Sequence, residues 1–123
     1  AGFGTGTPWI KVNTNYSTIN AAAQENDANS CLNYFRKMVK LRKGNPALIY
    51  GKYSLLDADN PAVYAYTREM DGKKFLVLLN FTASEAAAKT GIDISKGKVL
   101  INNYGATAVS EKLKPYEATV IEL

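Results

Sequence analysis

AVYAYTREMDGKKFLVLLNF, residues 62–81, has the pattern of two β-strands joined by a tight turn. Its first part alternates partly between small and aromatic side chains, which is typical of a strand with one buried face. Asp71-Gly72 is the strongest hairpin signal in the chain, because two-residue hairpin loops favour residues that tolerate positive φ. Residues 75–81 are apolar nearly throughout, and we therefore predict that they form a central strand of a sheet.

Further strand patterns flank this hairpin on both sides. Turn signals recur between them, such as Asn60-Pro61 directly before the hairpin, and this regular spacing is typical of an antiparallel sandwich or barrel. The other predicted strands are 53–56, 84–89, 99–103, 108–113 and 118–123.

One helix is predicted before the strands. Apolar side chains recur at helical spacing between residues 31 and 41, Asp27 or Asn29 is suited to cap the start, and the segment 44–46, with its glycine and proline, ends the helix. Residues 1 to about 26 follow neither period and are predicted to be irregular. The expected fold is mainly β, with one N-terminal amphipathic helix followed by an antiparallel, Greek-key-like β-sandwich.

Composition limits the classes of function. The chain has 123 residues, 46% of them apolar, and a net charge of +4, which fits a globular domain with a short extra element. The absence of histidine excludes Ser-His and Cys-His nucleophiles, and the single cysteine, Cys31, excludes an internal disulfide. No apolar run reaches the ~18 residues of a membrane helix and no signal-peptide layout is present, so the sequence predicts no membrane contact and a cytoplasmic location.

Three other patterns do not indicate a site. Gly2, Gly4 and Gly6 lack the strand and helix that a phosphate-binding loop needs. The basic residues at the helix end lie opposite its apolar face, so we predict no nucleic-acid partner. The eleven carboxylates fall mostly in turns or on solvent-facing positions, without a buried pair suited to glycoside hydrolysis. We therefore expect no catalytic residue, no metal site and no cofactor in this chain.

Aromatic side chains are the remaining candidates for ligand contact. Trp9, Tyr16 and Tyr104 lie in predicted loops, and they are the residues that we expect to contact a sugar. Four further aromatic residues lie in strong strand patterns, where aromatic side chains are favoured for packing, and we predict that they belong to the core: Tyr64, Tyr66, Phe75 and Phe81.

Several segments, taken in chain order, carry a family resemblance. They are AGF (1–3) with TPWIKVN (7–13), LRKGNPAL (41–48), AVYAYTR (62–68), LNF (79–81) and PYEA (115–118). Together they resemble the final part of the α-glucosidase and oligo-1,6-glucosidase-type enzymes of the alpha-amylase superfamily. The resemblance covers essentially the whole chain, and the helix exit at 41–48 with the segment 7–13 is its most specific part.

The resemblance implies a division of the chain and a role for it. Residues 1–46 correspond to the end of a catalytic (β/α)8 barrel, and residues 47–123 correspond to the C-terminal β-sandwich domain. The parent protein is expected to be a retaining α-glucoside hydrolase, in which one carboxylate attacks the anomeric carbon and a second carboxyl acts as acid and base. Because the family's catalytic aspartates and glutamate lie upstream, the implied role of this chain is to pack on the barrel and stabilise it.

Two alternatives stay open. In the first, the sandwich is a stand-alone carbohydrate-binding module that binds α-glucans or oligosaccharides through Trp9, Tyr16 and Tyr104. In the second, it is the same domain of a non-catalytic relative. These residues alone do not decide whether the parent protein is catalytically active. In isolation, the helix face and the strand edges are expected to drive self-association.

Overall fold

The computed structural model describes residues 4–123, which form two compact units, the first ending at Lys37 and the second comprising Met38–Leu123. Residues 1–3, with the predicted glycine pattern at Gly2 and the first letters of the resemblance, lie outside the described residues. The helices are α1 (Ala21–Glu25), α2 (Cys31–Gly44) and α3 (Ala47–Tyr50). The strands are β1 (Lys52–Leu56), β2 (Val63–Met70), β3 (Lys73–Asn80), β4 (Ala86–Ala87), β5 (Lys98–Asn102), β6 (Lys112–Leu113) and β7 (Ala118–Glu122).

The strands form two antiparallel sheets. The main sheet has five strands in the order β1-β2-β3-β7-β5, and β4 pairs with β6 in a second sheet. Because β4 and β6 belong to the second sheet, the chain leaves the main sheet after β3 and again after β5. It returns each time, and β7 pairs with both β3 and β5. The mainly β, antiparallel fold that the sequence predicts is confirmed, and the division at residues 46 and 47 stays a prediction.

The β2–β3 hairpin forms as predicted. Asp71 and Gly72 have φ of 52° and 76°, the positive values of a tight hairpin turn, and Met70 pairs with Lys73 across it. β3 lies between β2 and β7, and its residues 75–78 are all buried. Because both of its faces are covered, the strand has no solvent side, which explains its nearly continuous apolar sequence.

Each face of the main sheet has its own hydrophobic core. On one face, side chains of β2, β3 and β7 pack with those around the small sheet, and this cluster includes Leu76, Leu78, Ala88, Leu113 and Ile121. On the other face, α3 and the end of α2 contribute to a second cluster, which includes Leu41, Ala47, Phe75, Val77 and Val120. The short α3 therefore serves as a cover for the sheet, lying against β2 and β3.

The structure adds a helix within the stretch that the sequence predicts to be irregular. Residues 21–25 form α1, and Asn20 Oδ1 accepts a hydrogen bond of 2.8 Å from Ala23 N at its start. Three consecutive alanines have the highest helix propensity, and the asparagine cap satisfies one of the free amides. The helix is too short to show an amphipathic period.

Ser30 caps α2, which corrects the prediction of Asp27 or Asn29. Ser30 Oγ accepts a hydrogen bond of 3.2 Å from Asn33 N, as an N-cap does. Asp27 Oδ1 instead accepts a bond of 2.9 Å from Asn29 N and shapes the loop before the helix.

Two of the predicted strands are much shorter than their sequence patterns. Residues 84–89 contribute only β4 and residues 108–113 contribute only β6. Side chains satisfy neighbouring backbone groups instead: Asn80 Nδ2 donates to the carbonyl of Ser84 at 2.8 Å. Similarly, Glu111 Oε1 accepts from Thr90 N at 3.0 Å. Because these bonds come from single side chains and not from a regular ladder, the sequence carries no periodic sign of them.

Candidate functional site

An exposed patch of β1 and β2, which we call the tyrosine face, comprises Tyr53, Leu55, Tyr64 and Tyr66. Leu55 pairs with Tyr66 across the two strands, and residues two apart on a strand point to the same side, so all four share the face of the second core cluster. Tyr53, Leu55 and Tyr64 are 42%, 48% and 40% exposed. Tyr64 is thus only partly covered, where the sequence predicts a core position.

Polar contacts hold the tyrosine face in one arrangement. The hydroxyl oxygens of Tyr53 and Tyr64 lie 2.9 Å apart, and the ring centroid of Tyr66 lies 5.4 Å from that of Tyr53 and 5.1 Å from that of Tyr64. The Arg68 guanidinium lies 5.5 Å from the ring centroid of Tyr53 and donates to the carbonyl of Gly51 at 3.1 Å. The hydrogen bond with Tyr64 raises the pKa of Tyr53, and burial raises the pKa of Tyr66. These two phenols therefore stay uncharged at neutral pH.

Trp9 and Tyr16 lie in the first unit. Trp9 is 95% exposed, whereas Tyr16 and Ile19 line an open cavity of about 620 Å³ formed by residues 12–22. The Asn20 amide at this cavity is already engaged, since its Nδ2 donates to the carbonyl of Tyr16 at 3.0 Å and its Oδ1 caps α1. Sugar contact by Trp9 or Tyr16 stays a prediction.

Tyr104 lies in the second unit, at one end of the sandwich. Phe81 and Tyr116 come from two other loops of the same unit. All three side chains are exposed: Tyr104 at 51%, Phe81 at 67% and Tyr116 at 61%. We call this group the aromatic loop end. Phe81 corrects the prediction of a core position, because it directly follows the last residue of β3, where the strand ends.

Hydrogen bonds connect the three loops of the aromatic loop end. Tyr116 N donates to the carbonyl of Thr82 at 3.1 Å, and the Tyr104 hydroxyl donates to the carbonyl of Pro115 at 2.8 Å. The Lys114 ammonium lies 5.1 Å from the ring centroid of Tyr104. Of these three residues, the sequence predicts only Tyr104 as a ligand contact. Tyr116 follows a proline in a segment whose pattern otherwise predicts the start of a strand.

A buried carboxylate supports the turn that presents Tyr116. Glu117 is 7% exposed and accepts hydrogen bonds of 2.7 Å from Asn102 Nδ2 and from Lys114 N. Its own amide donates to the carbonyl of Lys114 at 3.1 Å and closes the turn. Within this turn Tyr116 has a φ of 54°, a value that is unfavourable for a bulky side chain.

Other carboxylates also have structural partners. Asp57 accepts hydrogen bonds of 2.6 Å from Asn60 Nδ2 and 2.9 Å from Lys89 N, and these bonds hold its pKa below the ordinary value of 3.8. Glu111 accepts from both the amide and the hydroxyl of Thr90. These side chains therefore connect loops, and their hydrogen bonds assign them no role in proton transfer.

Two further features are absent from residues 4–123. No group of three His, Cys, Asp or Glu side chains in this range is placed to hold a metal ion. In the same range, none of the helices is both long enough and apolar enough to cross a membrane.

The comparisons with known proteins show that the chain matches the C-terminal region of alpha-amylase-superfamily proteins. Residues 1–51 match the family model described as the alpha amylase catalytic domain, and residues 53–120 match the one described as the maltogenic amylase C-terminal domain. The chain belongs to the maltogenic amylase C-terminal domain family. The family resemblance found in the sequence is thereby confirmed.

Individual relatives agree with this assignment. The chain is 41% identical to the oligo-1,6-glucosidase of Bacillus cereus, over 100% of this chain and 23% of that protein. It is 37% identical to the trehalose-6-phosphate hydrolase of Bacillus subtilis (strain 168), over 99% of this chain and 23% of that protein. It thus spans less than a quarter of the length of these relatives.

Solved structures show the same fold. The trehalulose synthase of Pseudomonas mesoacidophila MX-45 matches with a TM-score of 0.87 and 36% identity, over 98% of this chain and 23% of that one. A mutant isomaltulose synthase of Erwinia rhapontici NX5, in complex with D-glucose, matches with a TM-score of 0.86 and 39% identity, over 99% and 23%.

Proposed function

We propose that this chain is the non-catalytic C-terminal part of a retaining α-glucoside hydrolase and that its tyrosine face packs against the catalytic barrel of the whole protein. In such an enzyme one carboxylate attacks the anomeric carbon, and a second carboxyl protonates the leaving oxygen and then activates water. The relatives named as oligo-1,6-glucosidases support this class of reaction. A cytoplasmic location and self-association of the isolated chain stay predictions.

One observation carries the packing role. The sheet face with Phe75 continues into the tyrosine face, where Tyr53, Leu55 and Tyr64 keep roughly half of their surface in solvent. Exposed contiguous apolar surface on a soluble domain marks an interaction site more often than chance contact does. The chain spans only 22–23% of the length of its relatives, so most of such a protein lies outside it. The catalytic barrel is the largest partner that the same polypeptide supplies for this face.

The contacts of the tyrosine face suit a permanent interface. The paired hydroxyls of Tyr53 and Tyr64 satisfy each other, so a covering surface does not leave them without partners. Arg68 is likewise held by Gly51 and by the ring of Tyr53, which lowers the entropy lost on docking. Aromatic side chains and arginine are the residues enriched at the centre of interfaces.

The test is Leu55→Asp in the full-length protein that contains this chain. If the barrel covers the face, a buried unpaired charge destabilises the enzyme, and we expect a lower unfolding temperature and less soluble enzyme. Thr107→Asp, which places the same charge at an exposed loop position, is the matched control and is expected to have little effect. Equal unfolding temperatures for the two variants would contradict the packing role.

The activity itself has a separate test. Full-length protein is expected to release glucose from isomaltose or maltose with retention of the anomeric configuration, observed by NMR of the first product. The 123-residue chain alone is expected to release none. Inversion, or hydrolysis by this chain alone, would refute the proposed assignment.

A further inference from the structure

The aromatic loop end has features that neither the fold nor the packing role requires. Phe81, Tyr104 and Tyr116 come from separate loops, and each keeps more than half of its surface in solvent. Large aromatic side chains are usually buried for their packing energy, so three exposed ones at one end of a domain call for a binding explanation.

Hydrogen bonds hold the Tyr104 side chain and the Tyr116 backbone in place without a ligand. The Tyr104 hydroxyl is held by the carbonyl of Pro115, and the backbone of Tyr116 is held by Thr82 and, through its carbonyl, by Asn103 Nδ2 at 2.8 Å. Side chains that are already fixed lose little entropy on binding.

Tyr116 adds a second, independent observation. Its φ of 54° is the left-handed conformation that glycine and asparagine adopt readily and that a bulky side chain adopts at a cost to stability. A strained position that carries a 61% exposed ring gains no packing energy in return. Strain of this kind is common where a side chain has to be presented to a ligand.

We propose that the aromatic loop end is a surface-binding site for an α-glucan, and the choice of an α-linked glucan rests on the proposed function. Pyranose rings present apolar C–H faces that stack on aromatic rings, and their hydroxyls bond to polar groups at the rim. The Lys114 ammonium, which lies over one face of the Tyr104 ring at 5.1 Å from its centroid, supplies donors at this rim.

The experiment is calorimetric titration of the full-length protein with α-cyclodextrin, a cyclic α-1,4-glucan without a non-reducing end for an exo-acting site to cleave. The variants are Tyr116→Asn, Tyr104→Ala and Phe81→Ala. Tyr116→Asn is the decisive one, because asparagine suits the positive φ and the variant is expected to fold at least as stably as the parent. Tyr50→Ala, at an exposed tyrosine of α3, is the matched control.

We expect saturable binding that weakens by about tenfold or more in Tyr116→Asn and stays unchanged in Tyr50→Ala. Absence of saturable binding, or equal affinity in all variants, would overturn the proposal. A lower unfolding temperature in the three variants with unchanged affinity would also overturn it and would make the loop end a packing surface. The two proposals can fail separately. If the hydrolysis or Leu55→Asp test fails but Tyr116→Asn still loses binding, the proposed function is refuted and the sugar site is supported.

Discussion

Asn102 donates its side-chain amide to the carboxylate of Glu117 over 2.7 Å, and this bond joins the end of β5 to the turn before β7. The other atom of the same amide, Asn102 Oδ1, accepts from Tyr104 N at 2.7 Å. A single asparagine thus connects the turn that contains Tyr116 with the loop that contains Tyr104. The shape of the aromatic loop end depends on this pair.

Glu117→Gln is therefore expected to destabilise the protein although the side chain keeps its size. Both carboxylate oxygens of Glu117 accept from N–H donors. In glutamine one of these oxygens becomes an NH₂ group, itself a donor, which then points at another donor and cannot bond to it. A buried group left without its partner costs about 1–3 kcal/mol, which urea unfolding measures directly. Glu85→Gln, at an exposed position, is the control. Equal losses in the two variants would show that the Glu117 bonds contribute no net stability.

Gly51→Ala is expected to be destabilising because the backbone leaves no room for a β-carbon. A Cβ at Gly51 would lie 2.3 Å from the carbonyl oxygen of Ala47 and 3.0 Å from that of Glu69, and neither backbone atom can move without disturbing α3 or β2. Overpacking of this kind costs about 1–3 kcal/mol. Gly44→Ala meets no atom within 4 Å and is expected to be neutral or slightly stabilising in thermal unfolding. The reverse order of the two variants would contradict the geometry.

Leu78→Ala tests the core cluster that faces the small sheet. Leu78 has no exposed surface, and we expect its truncation to lower the free energy of unfolding by about 2–5 kcal/mol. Ile19→Ala, at a 61% exposed position of the first unit, is expected to cost less than about 1 kcal/mol. A small effect at Leu78 would mean that the small sheet packs loosely on the main one.

Asp57→Asn tests the carboxylate that joins the β1–β2 turn to the loop at Lys89. The lowered pKa of Asp57 means that its bonds stabilise the fold above the ordinary value of 3.8 and that this stability is lost as the pH falls through the lower folded value. Asparagine accepts the φ of 49° at this position, so the variant isolates the charge.

The expected result is a lower unfolding temperature for Asp57→Asn at about pH 7 and a difference from the parent that shrinks as the pH falls below the ordinary value of 3.8, because the parent carboxyl then begins to take up its proton. Asp59→Asn, at an exposed position of the same connection, is the control. A difference that does not change with pH would show that the charge of Asp57 contributes nothing.

The sequence predicts the parts of this fold whose cause is local. The Asp71-Gly72 turn, the helix that ends before Pro46 and the continuous apolar run of β3 each follow from neighbouring residues, and the structure confirms them. The family assignment is predictable for a related reason, since it depends on short segments read in order.

The parts that the sequence does not predict depend on single side-chain hydrogen bonds and on where strand pairing stops, and neither has a periodic sequence pattern. Asn80 is buried and its amide donates to the carbonyls of Ser84 and Lys114, which replaces ladder bonds that strand periodicity assumes. The exposure of Phe81 has a similar cause, because a run of apolar letters does not show where pairing stops. Tyr116 is missed as a site because its positive φ arises only when the turn closes.

The position of β7 bears on how the domain is made in the cell. The other strands of the main sheet precede β7 in the chain, yet β7 lies between β3 and β5 and pairs with both. Until residues 118–122 have left the ribosome, β3 and β5 have no strand between them, and their exposed edges invite pairing with other chains. We expect this domain to complete its fold only after residues 118–122 have emerged, and chaperones that shield strand edges to matter most before that point.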